Sequence, residues 1–284
     1  MPQALLPHNH TRLTDALQRR TFPDSMRPFT PVRIALALLG AVLVLFIIGP
    51  LLKLLVSTSP GVILAAFGDR ELRDSIVLTV LTATAATACG LALGLPLAWL
   101  LARSRFRGRG VVGALVDLPV VVPHPVAGIA LLLFLGRRSA VGGVLARLGL
   151  EFVSHIPGII AAMLFVSVSI IVSGAREAIA TVDPHLERAA RTLGDGPWHA
   201  FRRITLPLAG RGIVAAAMLG WARAVSEFGA IVILTYHPRV ASVLIYDRFT
   251  TDGLGAAVPA ALVLLLLALA VFGAVRFLQP ADHR

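Results

Sequence analysis

Charge, aromatic residues and cysteine are all scarce in this 284-residue chain. Charged residues make up 14% and aromatic residues 6%, whereas hydrophobic residues make up 57%. So few charges cannot cover the surface of a soluble domain, and the composition is typical of a protein that crosses a membrane several times. The single cysteine, Cys89, lies in an apolar run, which excludes an intrachain disulfide and gives no support to a cysteine-based metal site.

Acidic residues and a nucleotide-binding loop are also missing or few. Asp and Glu number 15 against 26 Lys and Arg, so the formal net charge is +11. No basic stretch is interleaved with aromatic residues, and we therefore expect no nucleic-acid partner; in a membrane protein such an excess is typical of cytoplasmic loops beside an anionic leaflet. The chain lacks a G-x-x-x-x-G-K-[ST] loop, which excludes ATP hydrolysis by this chain itself.

Long apolar runs predict an all-α protein with six transmembrane helices. About 20 apolar residues in a helix cross the ~30 Å of hydrocarbon in a bilayer. We expect an N-terminal tail over 1–33, a transmembrane domain over 34–278 and a short tail over 279–284. The predicted spans are 34–52, 76–101, 111–135, 156–173, 212–236 and 254–278.

The basic residues favour one orientation. With both termini in the cytoplasm, five lie in the N-terminal tail, four follow the second span, six lie between the fourth and fifth spans and two lie near the C-terminus, against eight in the outer segments. The positive-inside rule therefore predicts a multi-pass protein of the cell (inner) membrane with cytoplasmic termini. Within the tail, residues 5–17 predict either a weak amphipathic surface helix or a disordered segment.

The second and third spans contain helix-breaking residues. The second is rich in Thr, Ala and Gly, which permits close helix packing, and Gly90, Gly94 and Pro96 are expected to interrupt it near its inner end. The third contains prolines that exclude a regular helix at its middle; these are Pro119, Pro123 and Pro125. Broken backbone at membrane depth is tolerated where it is buried in protein or lines a wet cavity.

His124 lies among these prolines and has two possible roles. It is either a substrate contact or a side chain that bonds the carbonyls freed by the prolines, and the second role is the commoner one.

Two opposite charges lie inside the fifth predicted span. Arg223 and Glu227 are four residues apart, which places them on one helix face. Each would cost roughly 2.5 to 3.5 kcal/mol at the bilayer centre, so both must face protein or water. Two roles stay open: a gating element in which Arg223 meets an anion and Glu227 is its counter-ion, or an internal ion pair that fixes the rotation of the helix.

A polar, basic segment lies within the loop 174–211 between the fourth and fifth spans. Asp183 is a good N-cap and Pro184 suits the first helical position, while Gly194 supplies a C-terminal stop. A short helix is therefore predicted from 184 to 193. A second one is predicted over 198–204, closed by Pro207.

The spacing within 183–207 resembles the cytoplasmic loop of ABC importer permease subunits. Their pattern is E-A-A, three residues, Gly, nine residues, Ile, one residue, Leu-Pro. This chain matches it with Ala189-Ala190, Gly194, Ile204 and Leu206-Pro207, and departs where Arg188 replaces the Glu. The resemblance implies a coupling helix that docks into a groove on a separate ATP-binding subunit. The residues that it assigns to this contact are Asp183, Pro184, His185, Leu186, Glu187, Arg188, Ala189, Ala190, Gly194, Ile204, Leu206 and Pro207.

Further stretches are similar to oxyanion permeases. Residues 94–103 match G-L-P-x-A-x-x-L-A-R, residues 118–128 resemble L-P-x-x-x-P…A-G, and residues 223–230 match R-A-x-[SG]-E-F-G-A. The run 241–249 is more similar to molybdate/tungstate permeases than to sulfate ones. The resemblance implies the type I ABC importer permease fold and import of molybdate or tungstate, with sulfate or thiosulfate as the alternative. Candidates for the translocation pathway or gate are Arg223, Ser226, Glu227, Gly229, Pro123 and His124.

The same resemblance implies the partners. They are two copies of an ATP-binding subunit, a second copy of this chain, and a periplasmic or lipid-anchored substrate-binding protein. No cofactor is expected on this chain, because the partner subunit uses ATP and Mg.

Two other classes remain as alternatives. A secondary transporter driven by an ion gradient would predict inverted internal repeats, and the two halves of the chain show no convincing similarity. An intramembrane enzyme would need catalytic or metal-binding residues; His124, Asp117 and Glu227 are candidates, but they have no recognisable spacing.

Overall fold

Within residues 31–278, which the computed structural model describes, every regular element is helical. The chain divides into two units, residues 1–56 and 57–284. The described part of the first unit is one helix, α1 (Pro31–Val56), which is longer than the predicted span and continues through Pro50. The predictions for residues 1–30, including the helix or disordered segment over 5–17, and for the tail 279–284 lie outside the described residues.

The described part of the second unit contains twelve α-helices and one π-helical turn. In chain order they are α2 (Pro60–Gly68), α3 (Arg70–Arg103), α4 (Arg109–Val121), α5 (His124–Leu135), α6 (Ala140–Arg147), α7 (Ile156–Ala180), α8 (Pro184–Thr192), α9 (Pro197–Ala200), the π-turn (Phe201–Thr205), α10 (Leu206–Val225), α11 (Gly229–Leu234), α12 (Ala241–Asp252) and α13 (Leu254–Leu278).

Five helical runs are long and apolar enough to cross a membrane, and the number reaches the predicted six if the bent pair of α4 and α5 is one span. The five runs are α1, α3, α7, the continuous helical run from α9 to α10, and α13. The pair of α4 and α5 is bent by 115°. The helix α13 has the bounds predicted from the sequence, whereas α7 continues to Ala180 and α10 begins at Leu206. The loop between the fourth and fifth spans is therefore shorter than the predicted 174–211.

The helix α3 is continuous, so the predicted interruption at Gly90, Gly94 and Pro96 is wrong. A Cβ atom on Gly90 would lie 2.8 Å from Cδ1 of Ile171, and one on Gly94 would lie 2.7 Å from Cγ2 of Val172. The two glycines therefore let α7 approach α3 closely. Small residues serve this purpose in membrane proteins, where packing rather than burial from water holds helices together.

The helices α7 and α10 approach each other in the same way. A Cβ atom on Gly174 would lie 2.6 Å from Cβ of Ala216, and one on Gly212 would lie 2.5 Å from Cβ of Ala178. The helices α3, α7 and α10 thus form a closely packed group. One cluster of its buried side chains comprises Ala98, Leu101, Val172, Ala175, Ile179 and Ile213.

The third and fifth spans are both broken. The predicted break in the third is confirmed, since α4 ends at Val121 and α5 begins at His124. The prediction of one continuous fifth span is wrong, because α10 ends at Val225 and the chain becomes helical again only at Gly229. The cause is Glu227, whose Oε1 accepts a 2.8 Å hydrogen bond from the N–H of Ala230 and so caps α11.

Candidate functional site

The breaks in the third and fifth spans touch each other. A Cβ atom on Gly229 would lie 2.7 Å from Cβ of His124, and one on Gly128 would lie 2.9 Å from the carbonyl oxygen of Ala230. Any larger residue at either glycine would push the two broken helices apart. We call this contact the junction; it brings together all six residues predicted for the pathway, which are Pro123, His124, Arg223, Ser226, Glu227 and Gly229.

An ion pair lies at the centre of the junction. Nη2 of Arg223 donates a 2.9 Å hydrogen bond to Oε2 of Glu227, whose side chain is 1% exposed. The carboxylate is thus shared between the guanidinium and the first turn of α11. The two residues do not lie on one helix face as predicted, because Glu227 follows the end of α10. Their contact instead joins the two halves of the fifth span.

His124 is an exposed member of the junction. Its Nε2 meets Nη2 of Arg223 and lies 3.8 Å from Oε2 of Glu227, and its side chain is 48% exposed. Within the described residues its ring bonds to Arg223 and not to a carbonyl, so the interpretation that it satisfies carbonyls freed by prolines is wrong. The accessible imidazole of His124 thus lies beside the guanidinium of Arg223, whose charge is partly neutralised by the buried Glu227.

The junction offers hydrogen-bond donors with little net charge. Arg223 presents a fork of N–H groups suited to oxygen anions. Ser226 lies at the same break, with its Oγ 3.5 Å from Nη1 of Arg223. Glu227 offsets much of the positive charge of Arg223.

Asp117 lies apart from the junction. It accepts a 2.7 Å hydrogen bond from Oγ of Ser173 on α7. The structure therefore does not assemble the trio of His124, Asp117 and Glu227 that an intramembrane enzyme would need. Among the described residues no group of three His, Cys, Asp or Glu side chains is placed to hold a metal ion.

The first part of the 183–207 segment folds as its local sequence predicted. Oδ1 of Asp183 accepts a 2.8 Å hydrogen bond from the N–H of His185, Pro184 occupies the first turn of α8, and Gly194 has a φ of +101° after the helix. The second predicted helix is not closed by Pro207, because α9, the π-turn and α10 are continuous. In the π-turn the N–H of Leu206 bonds to the carbonyl of Phe201, which accommodates a following proline that has no N–H.

One face of α8 is free for contact with another protein. Leu193, at its C-terminal end, is 90% exposed, and Leu186 is also exposed. The alanines divide between the two faces, since Ala190 is buried and Ala189 is exposed. Three further side chains of the 183–207 segment are exposed, two of them basic or titratable and one aromatic; they are Arg188, His185 and Trp198.

Glu187 faces the body of the protein instead. Its Oε1 accepts a 2.9 Å hydrogen bond from Nε of Arg103 and another from the hydroxyl of Thr205. Nη2 of Arg103 also donates a 2.7 Å hydrogen bond to the carbonyl of Val182. The sequence did not single out Arg103 or Thr205 as partners of Glu187; the only signal was that Arg103 ends the L-A-R stretch shared with oxyanion permeases.

A second charged cluster lies at the opposite end of α3. Nη2 of Arg248 is 2.7 Å from Oδ2 of Asp69 and 3.1 Å from Oε2 of Glu71. Burial raises the pKa of Asp69, but the hydrogen bonds from Arg248 and from the N–H of Leu72 outweigh it and hold that pKa below its ordinary value. The hydrogen bond to Asp247 raises the pKa of the Tyr236 hydroxyl.

Comparison of this sequence with known protein families shows which family it belongs to. The family model described as "Binding-protein-dependent transport system inner membrane component" matches residues 90–281, which include both the 183–207 segment and the junction. The chain belongs to this family. Members of the family are membrane components of transport systems, so this chain is a transport subunit and not an enzyme.

Two relatives extend the match over more of this chain, and a third matches a shorter part of it. The chain is 38% identical to the molybdate/tungstate transport system permease protein WtpB of Thermococcus kodakarensis over 85% of this chain and 94% of that protein. It is 39% identical to WtpB of Pyrococcus furiosus over 86% and 94%. The sulfate transport system permease protein CysW of Synechocystis is 35% identical over 60% of this chain and 62% of that protein.

The fold matches a solved importer. A bacterial ABC transporter involved in the import of the acidic polysaccharide alginate superimposes with a TM-score of 0.69, covering 96% of this chain and 100% of that one. At 19% sequence identity this likeness concerns the fold alone. It confirms the type I ABC importer permease fold that the motifs implied.

Proposed function

We propose that this chain is the membrane-spanning permease subunit of an ATP-driven importer for molybdate or tungstate. The observation that supports this most strongly is its similarity to two WtpB permeases over more than four fifths of the chain. The sulfate permease CysW matches a smaller part of it. Import of sulfate or thiosulfate is therefore the second candidate.

The junction is the proposed translocation pathway. Molybdate and tungstate are small divalent oxyanions, and Arg223 offers them charge-assisted hydrogen bonds. Glu227 keeps the site from becoming a deep positive trap, because it compensates the guanidinium at 2.9 Å. The broken backbone suits this position, since irregular backbone at membrane depth is tolerated where it lines a cavity.

The energy for transport comes from a partner subunit and not from this chain. The exposed face of α8, with Leu193 and Leu186, is the proposed contact for an ATP-binding subunit, which uses ATP and Mg. This proposal requires the 183–207 segment to lie in the cytoplasm, and the excess of basic residues supports an orientation with both termini there as well. The complete importer contains two copies of this chain, two ATP-binding subunits and an external binding protein, since symmetric pairs are the commonest oligomers.

The test is transport-coupled ATPase activity in liposomes. The purified chain is combined with its candidate ATP-binding subunit and with binding protein loaded with molybdate, tungstate or sulfate. Stimulation by loaded molybdate or tungstate protein is the expected result, and stimulation by the sulfate form alone would favour the second candidate. If the two subunits do not associate and uptake follows an ion gradient, the protein is a secondary transporter.

A further inference from the structure

Glu187 occupies a position that its neighbours on α8 do not share. Leu186 and Arg188 on either side are exposed, whereas the side chains of Glu187 and its partner Arg103 are only 13% and 9% exposed. The carboxylate therefore does not belong to the surface that meets a partner. It lies between α8 and the transmembrane helices behind it.

Three separate parts of the chain meet at this carboxylate. Arg103 is the last residue of α3, and Thr205 is the last residue of the π-turn that leads into α10. Both donate to the same oxygen, Oε1 of Glu187. Arg103 also holds the carbonyl of Val182, just before α8 begins. The start of α8 is thus fixed to α3 at two points and to α10 at one.

Thr205 is joined to the junction by a continuous helical run. The helical run from Pro197 to Val225 is continuous, and the distance along it from Thr205 to Arg223 is about 27 Å at 1.5 Å per residue. Thr205 is fully buried and lies in the π-turn. Such turns inside α-helices are frequent at functional sites.

The chemistry of the contact makes it a rigid link. A buried carboxylate that loses its donors is left as an uncompensated charge, so Glu187 cannot move away from Arg103 and Thr205 independently. A displacement of α8 therefore displaces the ends of α3 and α10 with it. An apolar contact between α8 and these helices would allow sliding, whereas shared hydrogen bonds to one oxygen atom do not.

We propose that Glu187 is a positioning residue that transmits movement of α8 through Thr205 to α10, and so to Arg223 at the junction. The inference rests on the proposed function, in which an ATP-binding subunit moves α8. By this inference Glu187 acts within this chain. Its place in the motif had suggested a contact with the ATP-binding subunit.

The test follows the accessibility of the junction when ATP binds to the partner. Cys89 is replaced by Ser, and Ser226→Cys introduces one thiol at the break in the fifth span. The assembled complex with the ATP-binding subunit is labelled with a thiol reagent, with and without a non-hydrolysable ATP analogue. We expect the analogue to change the labelling rate by about fivefold or more, the lower end of ordinary coupling between two sites.

Thr205→Val is the decisive variant, because it replaces the hydroxyl with a methyl group of similar size and leaves the pair of Arg103 and Glu187 in place. We expect it to keep the ATP-binding subunit bound and to lose most of the response to the analogue. Thr205→Ser should restore the response. Thr192→Val is the matched control, since this exposed threonine of α8 bonds only to the carbonyl of Ala189 within its own helix.

The outcomes separate this inference from the proposed function. If the parent complex forms and responds, but Thr205→Val and Glu187→Gln respond equally well, the link through Glu187 is overturned while the proposed function stands. The same holds if Glu187→Gln releases the ATP-binding subunit, because the residue would then belong to the docking surface. A parent chain that neither binds the subunit nor responds overturns both.

Discussion

Arg223 and Glu227 join the two halves of a broken transmembrane span, with Nη2 of the arginine 2.9 Å from Oε2 of the glutamate. The sequence left open whether this pair is a gate or a structural device, and the two side chains have different surroundings. Glu227 is buried and caps α11, which is a structural task. Arg223 also contacts the half-exposed His124, and the proposed pathway would bring an anion to this side of it.

We predict that removing both charges separates stability from transport. Arg223→Met leaves the buried Glu227 carboxylate without its partner and should lower the free energy of unfolding by about 3 kcal/mol or more. Glu227→Gln leaves the partly exposed Arg223 without its partner, so its cost should be smaller. The double variant removes both charges, so it should recover much of this stability and still fail to import molybdate or tungstate. Thermal unfolding in detergent and uptake into liposomes measure the two effects.

A charge-preserving variant sharpens this test. Arg223→Lys keeps the cation but loses the planar fork of donors, and uptake should fall about tenfold with the fold retained. Arg211→Lys, at an exposed arginine of the same helix, is the control and should leave uptake unchanged. Full uptake by the double variant would show that the pair is purely structural.

Local chemistry was the part of the fold that the sequence predicted well. Asp183 and Gly194 act on residues within one turn of themselves, so their roles as cap and stop follow from the sequence alone. Gly90 and Gly94 were interpreted wrongly, because whether a glycine breaks a helix or admits a neighbour depends on the helix that packs there. Nothing near Gly94 in the chain identifies Val172 as that neighbour.

The candidate site was predicted in its residues but not in its connections. The motifs gave Arg223, Glu227 and His124, yet apolar sequence on both sides of Glu227 indicated one uninterrupted helix. The break arises because the carboxylate competes for the N–H of Ala230. The contact of Arg103 with Glu187 joins positions far apart in the chain, and no local pattern reports such a contact.

We predict that Arg188 contributes to docking through its charge. It is exposed on α8, as Leu186 is, and Glu187, the acidic residue next to it, faces inward. The face offered to the ATP-binding subunit is therefore apolar and basic, which a groove with an acidic rim would complement. Arg188→Glu should slow association with that subunit about tenfold at low salt and reduce its salt dependence.

Association rates measured at two salt concentrations test this docking prediction. Arg202→Glu changes the same charge at an exposed position of the π-turn, beyond α8, and serves as the control. Faster association of the Arg188→Glu variant would mean that the groove is basic at this contact, contrary to the expectation.

The cluster at the start of α3 should weaken in acid. The pKa of Asp69 is held below its ordinary value of 3.8. Its contribution to stability is therefore complete above that value and is lost as the pH falls through the lower pKa of the folded state. We expect a loss of ~1 kcal/mol or less, because the pair is partly exposed.

Thermal unfolding between pH 6 and pH 3 measures this contribution. Asp69→Asn should remove part of the acid dependence. Asp74→Asn is the matched control: its pair with Arg70 is 3.7 Å long and largely exposed, so the change should have no effect. Equal acid dependence of the Asp69→Asn variant and the parent protein would contradict the prediction.

Two glycines on α10 give the most direct test of the packing between the spans. A Cβ atom on Gly212 would lie 2.5 Å from Cβ of Ala178, which has no other rotamer to adopt, whereas one on Gly210 would meet nothing within 4 Å. Gly212→Ala should therefore force α10 away from α7 and destabilise the protein by about 1–3 kcal/mol. Gly210→Ala should be neutral or stabilising by up to about 1 kcal/mol, because alanine favours the helix. Unfolding temperatures of the two variants decide the matter: if they shift equally, α7 and α10 do not pack through these small residues.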